Sequence, residues 1–134
     1  MIRVLAILLS LMSFAACAPR PAQAPPPGEP VACRAVDGDT IDCAGQRVRL
    51  VNVDTPELRG ACAAESALAR RARAFVAERL AAGPVEIVPD PRRPRDRYGR
   101  TLARVAVGGA DLGEALIAAG LARRWDGRRR PWCP

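Results

Sequence analysis

Residues 31–53 read VACRAVDGDTIDCAGQRVRLVNV, and the fold turns on how this stretch pairs with itself. Val31–Val36 and Thr40–Cys43 flank Asp37-Gly38-Asp39, an Asp-Gly turn signal, and predict an antiparallel hairpin. With those three residues as the loop, position 36 faces 40 and position 33 faces 43. Cys33 and Cys43 then lie directly across from one another. Gln46–Val53 alternates polar and apolar residues, which predicts a third strand with Val48, Leu50 and either Val51 or Val53 turned to a core. Pro56 stops that strand.

Outward from the hairpin, Cys62–Ala82 predicts a helix. Leu68, Ala72, Phe75, Val76 and Leu80 recur at helical spacing, Arg70, Arg71 and Arg73 flank the stripe, and Gly83-Pro84 ends it. Val85–Val88 is a short strand, Asp90–Gly99 a loop rich in proline and arginine, and Thr101–Val107 alternates again as a fifth strand. Asp111 caps a short helix, with Glu114 completing a capping box and Gly120 as its stop. The basic tail, Leu121–Pro134, is expected to be irregular. The order implies a mainly β, α+β domain: a five-stranded OB-fold barrel with a long helix between strands 3 and 4 and a short helix after strand 5. Such barrels bind oligonucleotides and much else, so the fold alone assigns no function.

Upstream, residues 1–17 read as a signal peptide, with Arg3 before an apolar run from Val4 to Ala16 that is too short for a permanent span. Phe14-Ala15-Ala16-Cys17 resembles a lipobox, which makes Cys17 a lipidation site and a membrane tether. Ala16-Cys17-Ala18 also offers a small-x-small cleavage site, although Pro19 follows it; the lipoprotein route is the preferred expectation. Residues 18–30 are a Pro/Ala-rich linker, extended and semi-rigid, and residues 31–134 form the folded domain. Setting Cys17 aside leaves four cysteines without zinc-knuckle spacing, so disulfides of an oxidising compartment are expected: Cys33 with Cys43, and hence Cys62 with Cys133. The second bond ties the tail to the start of the long helix. These features predict an exported protein of the periplasm or cell envelope, or a secreted one, monomeric by default.

Composition narrows the chemistry. The chain has no His, and its 21 Lys+Arg residues are all Arg. That excludes a histidine base, Ser/His and Cys/His pairs, a His-ligated zinc and any catalytic lysine. Carboxylates, guanidinium groups, thiols and a lone tyrosine remain. Carboxylates hold hard cations, and arginine forks match phosphate oxygens. A net charge of +7 suits a polyanionic partner.

Three clusters carry those groups: Val36-Asp37-Gly38-Asp39-Thr40, Arg49 through Asp54-Thr55-Pro56-Glu57, and Asp96-Arg97-Tyr98-Gly99-Arg100. Singly, each is ordinary turn chemistry. An EF-hand starting at Asp37 fails, because its fifth and twelfth positions fall on Ile41 and Val48. Together, a hairpin turn and a strand end can bring Asp39 and Asp54 to one place, with a carbonyl nearby and Glu57 just beyond.

In this order the clusters resemble the signature of the staphylococcal nuclease (thermonuclease) family, from about Val31 to about Ala122. The resemblance implies one Ca2+ held by Asp39, Asp54 and the Thr55 carbonyl, with Asp37 near the metal. Glu57 is implied as general base, and Arg49 and Arg100 as phosphate-binding groups that stabilise the transition state. The implied reaction is hydrolysis of the 5′ P–O bond of DNA or RNA, leaving 3′-phosphates. Arg97, Tyr98 and Trp125 are candidate substrate contacts, and Arg92, Arg93, Arg95 and Arg97 a track for the phosphate backbone. The chain departs from the best-known members in a short Leu58–Ala64 loop, in a tail that lacks their C-terminal helix, and in lacking the tyrosines they set under the base. The competing readings are a noncatalytic nucleic-acid-binding OB module and a disulfide-stabilised envelope lipoprotein.

Overall fold

A computed structural model describes residues 32–134. The expected signal segment with Cys17, and the 18–30 linker, lie outside the described residues. Among those described, no helix is long and apolar enough to cross a membrane.

The opening hairpin forms as the sequence dictates. β1 (Cys33–Ala35) pairs antiparallel with β2 (Thr40–Cys43), with Cys33 opposite Cys43 and Ala35 opposite Ile41. The Thr40 carbonyl accepts from the Val36 and Asp37 N–H groups and closes the three-residue loop. A disulfide joins Cys33 and Cys43. β2 then pairs with β3 (Gln46–Leu50) across Ala44-Gly45, both at positive φ (52° and 86°). That is the backbone a two-residue hairpin needs.

The strand expected over residues 46–53 breaks at Val51-Asn52. Only β4 (Val53–Asp54) continues it, and β4 pairs with β8 (Arg123–Arg124) of the tail. The cause is tertiary. The Asn52 carbonyl accepts the Trp125 N–H (3.0 Å), and its side-chain Nδ2 donates to Asp111 Oδ1 (3.1 Å). The tail is therefore partly ordered as strand, where irregular chain was expected.

α1 (Ala63–Ala81) buries Ala69, Ala72 and Val76, with Leu68, Phe75 and Leu80 packed at the margin of the core. β5 (Val85–Pro89), β6 (Thr101–Val107) and the short β7 (Ala110–Asp111) follow. In α2 (Leu112–Ala118), the Asp111 carboxylate accepts the Glu114 N–H (2.9 Å), which is half of the expected capping box. The Glu114 side chain turns instead to Arg124 in a two-pronged pair (2.9 and 2.7 Å).

The main sheet runs β1-β2-β3-β6-β5, with β3 and β6 parallel and β7 beside β6. It is a curled, open, OB-like sheet with two helices, in which β1 and β5 end the pairing order rather than closing on each other. Its core centres on Ile41, Val48, Leu50, Val53, Val105, Leu112 and Leu116. Burying each of these side chains stabilises the fold by about 1.5–3 kcal/mol. The long helix follows β4, so the rim where β2 begins, β4 ends and α1 starts carries Asp39, Asp54, Thr55 and Glu57.

Candidate active site

Thr40 lies opposite Arg49 in the β2–β3 register, so Arg49 stands next to Asp39. Its Nη1 pairs with Asp39 Oδ2 at 2.9 Å and also donates to the Leu50 and Val53 carbonyls. Asp39 Oδ1 accepts from Thr40 Oγ1 (3.1 Å). Asp39, Asp54 and Thr55 are all buried. Gly38 explains how the turn reaches them: a Cβ there would lie 2.9 Å from both the Ala72 Cβ and the Thr55 Oγ1. Only a residue without a side chain lets the turn seat between α1 and the end of β4.

The cluster is acidic and crowded. Burial, reinforced by the neighbouring Asp39 carboxylate, pushes Asp37 up to about 6. Burial also raises Asp54, opposed by the charge of Arg129 and by a hydrogen bond from the Trp132 N–H. Among the described residues no three His, Cys, Asp or Glu side chains are grouped so as to hold a metal by themselves. The candidate donors are two carboxylates and the Thr55 carbonyl. All are hard oxygen donors, and an oxygen-seeking cation whose remaining positions are filled by water suits such a set. The residues present therefore fit a hard, oxygen-seeking cation only with most of its positions left to water.

Beside the acids lies a cleft of about 410 Å³ lined by Arg49, Arg93, Arg100, Asp90 and Trp125, over Leu50, Val51 and Leu102. Arg49 belongs to both the cleft and the acidic cluster. Arg100 is oriented by Asp96, whose Oδ2 accepts from Nε at 2.7 Å. Partial burial raises the Asp96 carboxyl, but hydrogen bonds from Arg100 and from the Arg100 and Tyr98 N–H groups outweigh it and hold it below its ordinary range. Tyr98, 68% exposed, stacks under Arg97 and Arg100 (4.8 and 5.6 Å to the ring centroid) outside the cleft lining. Trp125, 40% exposed, forms part of the cleft wall.

Glu57 follows β4 on an exposed turn. Glu65 of α1 organises that turn, accepting from the Glu57 N–H (3.2 Å) and the Ala61 N–H (2.8 Å). Those two bonds hold the Glu65 carboxyl below its ordinary value. A Cβ on Gly60 would lie 2.6 Å from Glu65 Cγ, so the loop wraps closely around it.

Three residues at the site were not foreseen: Glu65, Arg129 and Trp132. Arg129 Nη1 donates to Glu57 Oε1 and Nη2 to the Thr55 carbonyl (3.1 Å). Trp132 Nε1 donates to Asp54 Oδ2 (3.2 Å). The second disulfide, Cys62–Cys133, brings them there. That pairing was expected from the sequence, and it was the signal that the basic tail must pass Glu57.

A curled sheet carrying an oxygen-only acidic cluster beside an arginine-walled cleft defines a class of domain suited to anionic phosphate esters. Comparison with known proteins makes the class specific. Residues 47–131 match the family model described as staphylococcal nuclease homologue. Over 94 residues, 67% of this chain, it is 39% identical to the thermonuclease of Staphylococcus intermedius and 37% identical to that of Staphylococcus hyicus. It is also 37% identical over 94 residues to Endonuclease YncB of Bacillus subtilis (strain 168). The aligned region covers 55%, 55% and 44% of these relatives in turn, so the chain spans about half the length of the proteins it matches. The chain belongs to the staphylococcal nuclease family.

Proposed function

We propose that this protein is an exported, calcium-dependent nuclease that hydrolyses phosphodiester bonds of DNA or RNA. The observation that carries this reading is Arg49, which joins the buried acids, through Asp39 at 2.9 Å, to the cleft it shares with Arg100. Asp39, Asp54 and the Thr55 carbonyl would hold one Ca2+, which when bound supplies Lewis-acid polarisation of the phosphate and a template for the reacting oxygens. Among the described residues, Arg49 makes its side-chain hydrogen bonds and ion pair through Nη1 and Arg100 through Nε. Their other guanidinium nitrogens remain for phosphate oxygens and for the charge that develops on them. Glu57 takes the proton of the attacking water; its Oε2 has no hydrogen-bond partner among the described residues. Arg93 and Trp125 extend the cleft for backbone and base, with Arg97 and Tyr98 beyond.

Two disulfides support an oxidising, extracytoplasmic location. Lipidation at Cys17 would add a membrane tether. The test is incubation of the oxidised protein with single-stranded DNA, in calcium and in chelator. Calcium-dependent cleavage that falls by ~10²-fold or more in Glu57→Gln and Arg100→Ala is expected. Tight DNA binding without cleavage in any divalent metal would replace the nuclease with a binding module.

A further inference from the structure

The tail that follows β8 makes contacts no surface loop requires. Arg129 bridges Glu57 Oε1 and the Thr55 carbonyl, and lies 3.9 Å from Glu65 Oε1. Trp132 donates its indole N–H to Asp54 Oδ2, while Arg123 stacks under its ring at 3.8 Å and donates to the Pro131 carbonyl at 3.0 Å. Cys133 is crosslinked to Cys62 at the start of α1. The tail thus reaches three of the groups assigned above to metal and water.

How it reaches them separates support from obstruction. At Glu57 the tail takes Oε1 and leaves Oε2; at Asp54 it takes Oδ2 and leaves Oδ1. The Thr55 carbonyl gives up one of its two lone pairs. No tail residue beyond Trp125 lines the cleft of Arg49 and Arg100; residues 129–133 line a separate cavity with Glu57, Gly60 and Glu65. The substrate side therefore stays open. Donors that fix one acceptor of a ligating group and free the other are the usual outer partners of a metal site.

We propose that the disulfide-held tail is a working part of the active centre, with Arg129 as positioning residue for Glu57 and the Thr55 carbonyl, and Trp132 as positioning residue for Asp54. Neither touches substrate. The Cys62–Cys133 bond holds both in register, so that catalysis depends on the oxidised tail. The proposal rests on the nuclease reading above.

The experiment uses the oxidised full chain, with single-stranded DNA hydrolysis at saturating calcium and calcium affinity by calorimetry. Trp132→Phe removes the N–H donor while keeping an aromatic ring and the charge, and weakens calcium binding by ~10-fold. Arg129→Ala lowers kcat by ~10–100-fold at nearly constant KM, with part of the rate restored by added methylguanidinium. Cys62→Ser with Cys133→Ser reproduces both losses while circular dichroism shows a folded domain. Wild-type kcat in Arg129→Ala, or a faster rate, together with wild-type calcium affinity in Trp132→Phe, overturns the proposal and leaves the nuclease reading intact. A wild-type protein that neither binds calcium nor cleaves overturns both.

Discussion

Gly38→Ala tests how the acidic cluster is assembled. The added Cβ would meet the Ala72 Cβ and Thr55 Oγ1 at 2.9 Å and the Thr55 Cβ at 3.0 Å. Ordinary contact begins near 3.4 Å, so the Asp37-Gly38-Asp39 turn must retreat from α1 and β4 by roughly 0.5 Å. Overpacking of this kind costs about 1–3 kcal/mol. A donor displaced by that amount exceeds the ~0.2 Å tolerance of a metal site, so calcium affinity should fall by ~10-fold or more. Urea unfolding gives the first quantity, read as a lower midpoint at unchanged m value, and calorimetry the second. Gly45→Ala is the control. It strains a φ of +86° with nothing within 4 Å of the new atom, so it costs about 1 kcal/mol of stability and leaves calcium binding alone. Gly38→Ala with wild-type stability and calcium affinity would rule out this seating of the turn. So would a Gly45→Ala protein that loses calcium affinity to the same degree.

Other consequences are as definite. Ala44 sits at φ 52° in the β2–β3 turn, so Ala44→Asn should stabilise by about 0.5–1 kcal/mol, read as a higher Tm. Glu65 has its carboxyl lowered from 4.5 by the Ala61 and Glu57 N–H groups. A depressed folded-state value means that its contribution is complete above 4.5 and is lost as pH falls through the lower folded value. Unfolding free energies measured down through that range should decline less steeply in Glu65→Gln than in the wild type, and parallel curves would discount the two bonds. Arg93 lines the cleft, and among the described residues only its backbone N–H is engaged, by Asp90. Arg93→Ala should reduce the salt dependence of single-stranded DNA affinity by a log–log slope of ~0.7, the value for one phosphate contact.

The parts of the fold legible in the sequence are those fixed by local rules. Loop length sets register in a hairpin, so the symmetry of Cys33 and Cys43 about residues 37–39 foretold both the pairing and the disulfide. The same register seats Arg49 by Asp39, because Thr40 and Arg49 are partners. Helical spacing and Gly83-Pro84 marked α1 to within a residue at each end. The break in the third strand was not legible. It depends on Asn52 meeting Trp125 and Asp111, residues distant in sequence that no periodicity connects. The order in the tail is illegible for the same reason: Arg123 and Arg124 form a strand only because β4 is there to pair with them. Arg129 and Trp132 were hidden although Cys62 and Cys133 pointed to them. A disulfide shows which backbones meet, but not which side chain turns inward.

On the function proposed above, Asp54 helps to hold the calcium on which strand cleavage depends. The direct measurement is the rate of single-stranded DNA cleavage as a function of calcium, for the oxidised wild type and for Asp54→Asn. The expected result is no cleavage in chelator, a saturable calcium curve for the wild type, and a curve displaced by ~10-fold or more towards higher calcium in Asp54→Asn. Cleavage that persists in chelator, or an Asp54→Asn curve superimposed on that of the wild type, would contradict it.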